Sequence, residues 1–162
     1  MDYGFVGDID SVDADVLVKQ LDNGLMPVVS PLSCDESGTV LNINADTVAA
    51  AIAAELNAEK LILATGAPGI LEDVNDPQSL ISYVDRAALD KLKAGGKLAD
   101  GMLPKAAAIE AALANGVSRV HVISYKVADS ILLEVFTNEG TGTLVVNDIA
   151  ALTSAEQGGD TA

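Results

Sequence analysis

The sequence predicts an α/β fold, namely a three-layer α/β/α sandwich around a mainly parallel central sheet. Short apolar runs that suit buried strands alternate with segments that suit helices, which is the order typical of βαβ units whose sheet is covered on both faces. Of the 162 residues, 49% are hydrophobic, but only 3% are aromatic and none is Trp. This composition favours helices packed on strands over an all-β sandwich.

Apolar periodicity and capping residues place the individual elements. Ser11 is a candidate cap for the first helix, and glycines at 24, 95, 96 and 116 end helical segments. Helices are predicted over residues 11–23, 44–56, 85–94, 101–115 and 128–136. Strands are predicted over residues 26–30, 60–65, 119–124 and 143–146. The segments 35–38 and 75–79 have the composition of turns and polar loops.

The chain is predicted to be one domain over residues 1–149, followed by a flexible tail over 150–162. The tail is rich in Ser, Gly, Gln and Asp and shows no apolar period. No internal repeat or interior linker separates the elements before it.

Charge and cysteine content exclude several kinds of function. With 9 basic and 24 acidic residues the formal net charge is −15, which disfavours nucleic acid and anionic membranes as partners. The single Cys34 cannot form an internal disulfide, and it lies far in sequence from His121, so no metal site is predicted. No apolar run approaches the length of a membrane span and the first residues do not resemble a secretion signal, so a cytoplasmic location is expected.

Two loops lead into helix amino termini, where free backbone amides can hold polar or anionic ligands. The first is Asn42-Ile43-Asn44-Ala45-Asp46, whose side chains either bind a substrate or only cap the helix. The second is Asp100-Gly101-Met102-Leu103-Pro104-Lys105. A cation in a first helical turn opposes the helix dipole, and a phosphate partner would resolve that conflict. A solvated Lys105 is the alternative.

Two further groups are candidates. The loop Thr65-Gly66-Ala67-Pro68-Gly69-Ile70 follows a predicted buried strand, at the end where α/β sheets bind ligands, although such loops are often simple turns. His121, Glu134 and Gly140 fall on a strand, a helix and the next loop, where a packed strand histidine is the simpler interpretation. No Walker-type loop is present, because neither Gly95-Gly96 nor Gly140-Thr141-Gly142 continues into Gly-Lys-Ser/Thr.

In order along the chain, four segments resemble the carboxyl-terminal half of the N-acetylglutamate kinases, which belong to the amino acid kinase family. The resembling segments are Tyr3-Gly4-Phe5-Val6-Gly7-Asp8, Asn42-Ile43-Asn44-Ala45-Asp46-Thr47, Gly101-Met102-Leu103-Pro104-Lys105 and Phe136-Thr137-Asn138-Glu139-Gly140-Thr141-Gly142-Thr143. The resemblance implies an enzyme of arginine biosynthesis that phosphorylates the side-chain carboxylate of N-acetyl-L-glutamate with ATP and Mg²⁺.

The same resemblance implies roles for individual residues. Lys105 and Asp46 are expected to be catalytic, with Lys105 stabilising the transferring phosphoryl group and Asp46 organising the catalytic lysines. Asn42, Asn44 and Ala45 are expected to bind the substrate. The expected nucleotide-binding residues are Ala64, Thr65, Gly66, Gly69, Asp100, Gly101, Met102 and Lys105. The expected arginine-binding regulatory residues are His121, Glu134 and Gly140.

The family's Gly-rich phosphate loops, a second catalytic Lys and a substrate-binding Arg belong to an amino-terminal half with no counterpart here. We therefore expect the chain to act as a fragment that needs this missing lobe, with homo-oligomers forming when complete. The loop carries Gly66 where the family typically has Asp. The alternative is a non-catalytic arginine-binding module like the kinase-like domain of N-acetylglutamate synthases. An aspartate or uridylate kinase relative is disfavoured by the His121, Glu134 and Gly140 set.

Overall fold

The computed structural model describes residues 4–98, 100–137 and 140–153. Its central sheet has four strands in the order β3-β5-β6-β4. They are β3 (Lys60–Thr65), β4 (Tyr83–Asp85), β5 (Arg119–Ser124) and β6 (Thr143–Val146). The β3–β5 and β4–β6 pairs are parallel, whereas β5 and β6 are antiparallel. The predicted mainly parallel α/β sheet is confirmed.

Helices cover the two faces of the sheet unequally. On one face, α2 (Ala45–Glu55), α3 (Arg86–Ala94) and α4 (Leu103–Ala114) enclose the main core with apolar side chains from the strands. Val120 and Val122 of β5 belong to this core. The alternating residues His121 and Ile123 are also buried but point to the other face, where α5 (Ser130–Phe136) packs on β5.

The amino-terminal part forms a separate, more exposed layer. It contains α1 (Ala14–Asp22) and a hairpin of β1 (Leu32–Cys34) and β2 (Val40–Asn42). The predicted turn at 35–38 closes this hairpin, where the Gly38 amide donates to the Asp35 carbonyl and the Asp35 carboxylate accepts from Ser37 and Thr39. These local hydrogen bonds lower the pKa of Asp35, chiefly through the Ser37 hydroxyl.

Several sequence-based predictions need correction. The apolar segment 26–30 is not a strand: Met26 and Val28 are exposed and the segment runs beside α2. Its apolar content suits a strand, but strand formation also requires a pairing partner. The first helix is capped by Asp13 rather than Ser11, and the short strands β1, β2 and β4 were missed. Most of the predicted tail, residues 154–162, lies outside the described residues.

The connections set the position of the site. Each of α2 and α4 runs into the next strand through a short turn, so each helix is antiparallel to that strand. The amino termini of α2 and α4 therefore lie towards the carboxyl ends of β3 and β5. These carboxyl ends are adjacent, because Thr65 pairs with Ser124 in the register of the sheet. No helix among the described residues is both long and apolar enough to cross a membrane.

Candidate functional site

Asn44 fixes the beginning of α2. Its side-chain oxygen accepts hydrogen bonds from the amides of Asp46 and Thr47 at 2.9 and 3.2 Å, as an N-cap residue does. The preceding Ile43 is buried, which anchors the chain where it enters the helix. This geometry confirms the capping interpretation for Asn44. It also leaves the Asp46 carboxylate, in the first turn, available for a partner outside the helix.

That partner is Lys105 in the first turn of α4. The Lys105 Nζ donates to Asp46 Oδ1 at 2.7 Å, and only 11% of the Lys105 side chain and 24% of the Asp46 side chain are exposed. The ion pair links residues 59 positions apart in sequence. The predicted catalytic residues are therefore brought into direct contact.

The start of α4 is suited to an anion. Pro104 occupies the first turn, and the N-cap residue Met102 makes no side-chain capping hydrogen bond. Uncapped first-turn amides together with the helix dipole favour negative charge. Lys105 has the unfavourable sign for this position, and Asp46 is the counter-charge that compensates it. A phosphate group at the same place would meet amides and one ammonium already held in position.

The predicted nucleotide loop is fastened to β6. Thr143 is fully buried, and its hydroxyl accepts a hydrogen bond of 2.8 Å from the Ile70 amide. Gly69 lies so close that a Cβ there would approach Thr143 Oγ1 to 2.6 Å and Leu80 Cδ1 to 2.7 Å. Any larger residue at position 69 would displace the loop, so glycine is required by packing.

A small cleft of about 40 Å³ separates this loop from the start of α4. Its lining includes Ala67 and Gly69 on one side and Leu98 and Met102 on the other. Met102 ends the 3-10 turn Asp100–Met102, which leads directly into α4. The structure thus places two predicted nucleotide segments on opposite walls of one cleft, within one helical turn of Lys105.

Two residues that the sequence analysis did not select flank Gly66. A Cβ built on Gly66 would lie 3.0 Å from Tyr125 Oη and 3.7 Å from Lys126 Nζ. The Tyr125 amide donates to the Thr65 carbonyl at 3.0 Å, which ties the ends of β5 and β3 together. Both residues directly follow a buried parallel strand, so the rule that selected residues 65–69 would also have found them.

The predicted regulatory residues also meet. Glu134 Oε1 accepts from His121 Nδ1 at 2.7 Å, and Glu134 Oε2 accepts from the Thr141 amide at 2.6 Å. Gly140 has φ +59°, and a Cβ on it would lie 3.1 Å from Glu134 Oε2. His121 and Glu134 are 7% and 8% exposed. Within the described part of the chain, His121 Nε2 is a buried nitrogen with no hydrogen-bond partner.

The charge of Glu134 is stabilised by this network. Burial disfavours a carboxylate and by itself raises the pKa of Glu134. The hydrogen bond from His121, the Thr141 amide, the His121 charge and the Gly142 amide together outweigh burial. The pKa of Glu134 therefore lies below its ordinary value of 4.5. The interpretation of His121 as a packed strand residue agrees with its burial.

The remaining predicted residues are more dispersed. Asn42 is exposed at the end of β2, where its backbone pairs with Phe5 and Gly7. Ala45 faces the apolar groove between α2 and the segment 27–31. Ala64 is exposed on the face of β3 opposite the main core. None of these three shares a described contact with Lys105.

Comparison with known proteins places this geometry in a family. The model of the amino acid kinase family matches residues 1–124, which include α2, the loop after β3, α4 and β5. The chain belongs to the amino acid kinase family. Asp46, Lys105 and His121 fall inside the matched residues, whereas Glu134 and Gly140 follow them.

The curated relatives from this family include acetylglutamate kinases. Those of Symbiobacterium thermophilum and Methanosarcina barkeri are each 47% identical, over 146 and 145 residues. Each match covers 90% of this chain but only 50% and 45% of the relative. The chain thus spans about half the length of the curated relatives that it matches.

Solved structures agree with the fold. An N-acetylglutamate synthase from Neisseria gonorrhoeae, complexed with coenzyme A and L-arginine, superposes with a TM-score of 0.83 and 28% identity, covering 91% of this chain and 34% of that one. A carbamate kinase from Giardia lamblia bound to AMP-PNP superposes with a TM-score of 0.67 and 20% identity, covering 85% of this chain and 45% of that one. This second likeness supports the amino acid kinase fold alone. Within the described residues, no three His, Cys, Asp or Glu side chains cluster as a metal site.

Proposed function

We propose that this chain supplies the carboxyl-terminal lobe of an acetylglutamate kinase, which transfers a phosphoryl group from ATP to the side-chain carboxylate of N-acetyl-L-glutamate. The observation that carries the proposal is the 2.7 Å ion pair between Lys105 and Asp46 at the uncapped start of α4. The 47% identity to acetylglutamate kinases over 90% of the chain supports the choice of substrate.

Lys105 would act on the transferring phosphoryl group. The transition state of phosphoryl transfer carries charge on the equatorial oxygens, and catalysis depends on cations and amides placed around them. Asp46 holds the ammonium at the α4 terminus, so little reorganisation is needed when ATP binds. Asn44 has its oxygen engaged as a cap, so only its amide hydrogens remain to contact substrate.

ATP would bind with Mg²⁺ over the loop after β3 and the start of α4, because the cleft of about 40 Å³ beside Met102 is too small to enclose a nucleotide. Magnesium usually keeps several waters and binds through substrate phosphates, so it is expected to arrive as MgATP. One ammonium and one helix terminus supply few of the contacts that a triphosphate requires. We therefore propose that catalysis also needs residues corresponding to the other half of the relatives, and that the chain alone does not turn over.

A joined protein tests this proposal. This chain would be fused to the amino-terminal half of the Symbiobacterium thermophilum acetylglutamate kinase, and acyl phosphate would be trapped with hydroxylamine. We expect ATP-dependent hydroxamate with N-acetyl-L-glutamate, and far less with N-acetyl-L-aspartate or free L-glutamate. A folded joined protein that binds MgATP but forms no hydroxamate would contradict the proposed reaction.

Arginine regulation is a second proposal for the same protein. The meeting of His121, Glu134 and Gly140 favours it, as does the likeness to a synthase structure that contains L-arginine. In the structure, however, the Thr141 and Gly142 amides donate to Glu134, so they are not free for an arginine carboxylate. We propose that the guanidinium is attracted to the Glu134 carboxylate, whereas the arginine carboxylate takes other donors.

An arginine titration of the joined protein separates this site from catalysis. We expect inhibition that Glu134→Gln weakens, because the neutral amide loses the charge that attracts a guanidinium. The uninhibited rate should stay near that of the parent protein. A flat response to arginine would exclude the regulatory site and leave the kinase proposal intact.

A further inference from the structure

Tyr125 and Lys126 form a polar pair at the carboxyl ends of the two parallel strands β3 and β5. Their side-chain ends, Oη and Nζ, both lie within 3.7 Å of the point where Gly66 would carry a Cβ. Their backbone is fixed, because the Tyr125 amide donates to Thr65 and the Lys126 amide donates to Ser124 Oγ at 3.2 Å. Both side chains remain exposed.

The charge of Lys126 is not balanced locally. Lys105 is paired with Asp46 at 2.7 Å, and Lys97, which lines the cleft, approaches Glu72 at 4.0 Å. Among residues 4–98, 100–137 and 140–153, Lys126 Nζ has no carboxylate within salt-bridge distance. Its ammonium is therefore available to an anion at the carboxyl ends of β3 and β5.

The pair and Lys105 are on the same side of the sheet edge. The helix α4 leads directly into β5, so its first turn lies towards the carboxyl end of that strand, which Tyr125 and Lys126 directly follow. A glycine at position 66 lets the ends of both side chains lie close over the loop backbone, where a Cβ would come within 3.0 Å of Tyr125 Oη. A polyphosphate could therefore contact Lys105 near one end and this pair near the other, with its terminal oxygens spread across the strand ends.

We infer that Tyr125 and Lys126 are a second phosphate-binding element of the nucleotide site, which contacts the polyphosphate of ATP across Gly66. The inference rests on the proposed nucleotide-binding function and adds two binding residues to it. Lys126 supplies a charge-assisted hydrogen bond, and the Tyr125 hydroxyl donates a neutral one. The contact is to phosphate, so it is independent of the base.

The test measures equilibrium binding of MgATP, magnesium tripolyphosphate and adenosine to the joined protein by calorimetry. Variants are Lys126→Gln, Lys126→Arg and Tyr125→Phe. Lys19→Gln, on the exposed face of α1, is the control with an identical change in net charge. Because all of these side chains are exposed, the variants should fold as the parent does, which circular dichroism would verify.

We expect Lys126→Gln to weaken the binding of MgATP and tripolyphosphate about tenfold. This is the usual effect of losing one hydrogen bond to a charged group near the surface. Tyr125→Phe should weaken the binding of both about threefold, Lys126→Arg should retain most of the affinity, and adenosine should bind all variants equally.

A Lys126→Gln effect no larger than that of Lys19→Gln would overturn the inference alone. Weaker adenosine binding would also overturn it, by assigning the pair to the nucleoside. A parent joined protein that binds no MgATP would overturn both the inference and the proposed nucleotide site.

Discussion

Lys105 Nζ and Asp46 Oδ1 lie 2.7 Å apart and join the first turns of α4 and α2. The two helices also pack along their lengths through small side chains such as Ala50, Ala53, Ala108 and Ala112. The ion pair is the polar end of an otherwise apolar helix–helix contact. It therefore contributes both to folding and to the placement of the ammonium at the proposed reaction centre.

Replacing Asp46 by Asn should expose this double role. The substitution leaves the largely buried Lys105 charge without its partner, which we expect to cost about 3 kcal/mol of unfolding free energy. Urea denaturation measures the loss. Glu110→Gln, which breaks the more exposed Lys93–Glu110 pair of 2.8 Å, is the matched control and should cost less than about 1 kcal/mol. Equal effects of the two substitutions would show that the Lys105–Asp46 contact is not a strong one in solution.

The hydrogen bond from the Ile70 amide to Thr143 predicts how the loop after β3 is held. Thr143→Val keeps the shape but leaves a buried amide unsatisfied, at a cost of about 1 to 3 kcal/mol. Thr143→Ser keeps the acceptor and loses only a methyl group, at about 1 kcal/mol. Hydrogen exchange at Ile70 should accelerate strongly in the Val variant and little in the Ser variant. Unchanged protection of Ile70 in Thr143→Val would show that the hydroxyl does not hold the loop.

The buried Glu134 predicts a loss of stability in acid. Its pKa is lowered in the folded protein, so the unfolded chain takes up this proton first as the pH falls. The stabilisation from Glu134 is complete above its ordinary pKa of 4.5 and disappears as the pH falls through the lower folded-state pKa. Comparison of the unfolding free energy at pH 7 and in this acid range, in parent and Glu134→Gln proteins, measures the contribution. The difference in unfolding free energy between the two proteins should shrink in acid. A difference that stays constant with pH would contradict the lowered pKa of Glu134.

The sequence was sufficient to place the helices and strands whose buried apolar residues recur at regular spacing. Both β3 and β5 were predicted with the bounds that the structure shows, because their apolar runs end in clear turn residues. The segment 26–30 has a similar composition but forms no strand. In the described part of the chain β3 is the edge strand, so the segment 26–30 does not extend the sheet beyond it. Strand pairing depends on tertiary structure, which local composition cannot specify.

The site was only partly predictable. The resemblance selected Asp46 and Lys105, and the structure brings them together. It could not indicate that Thr143 holds the loop after β3, since a threonine at the start of a strand has no distinctive local pattern. Nor did it indicate that Glu134 has both oxygens engaged, because Thr141 reaches it only through the left-handed turn at Gly140.

The most direct test of the account is the steady-state kinetics of Lys105→Gln in the joined protein. If Lys105 stabilises the transferring phosphoryl group, kcat should fall about 100-fold or more while the KM for ATP changes only a few-fold. Lys93→Gln, which removes another ion-paired lysine, on α3, should leave both constants near those of the parent. A Lys105→Gln protein that folds and retains the parent kcat would contradict the central claim.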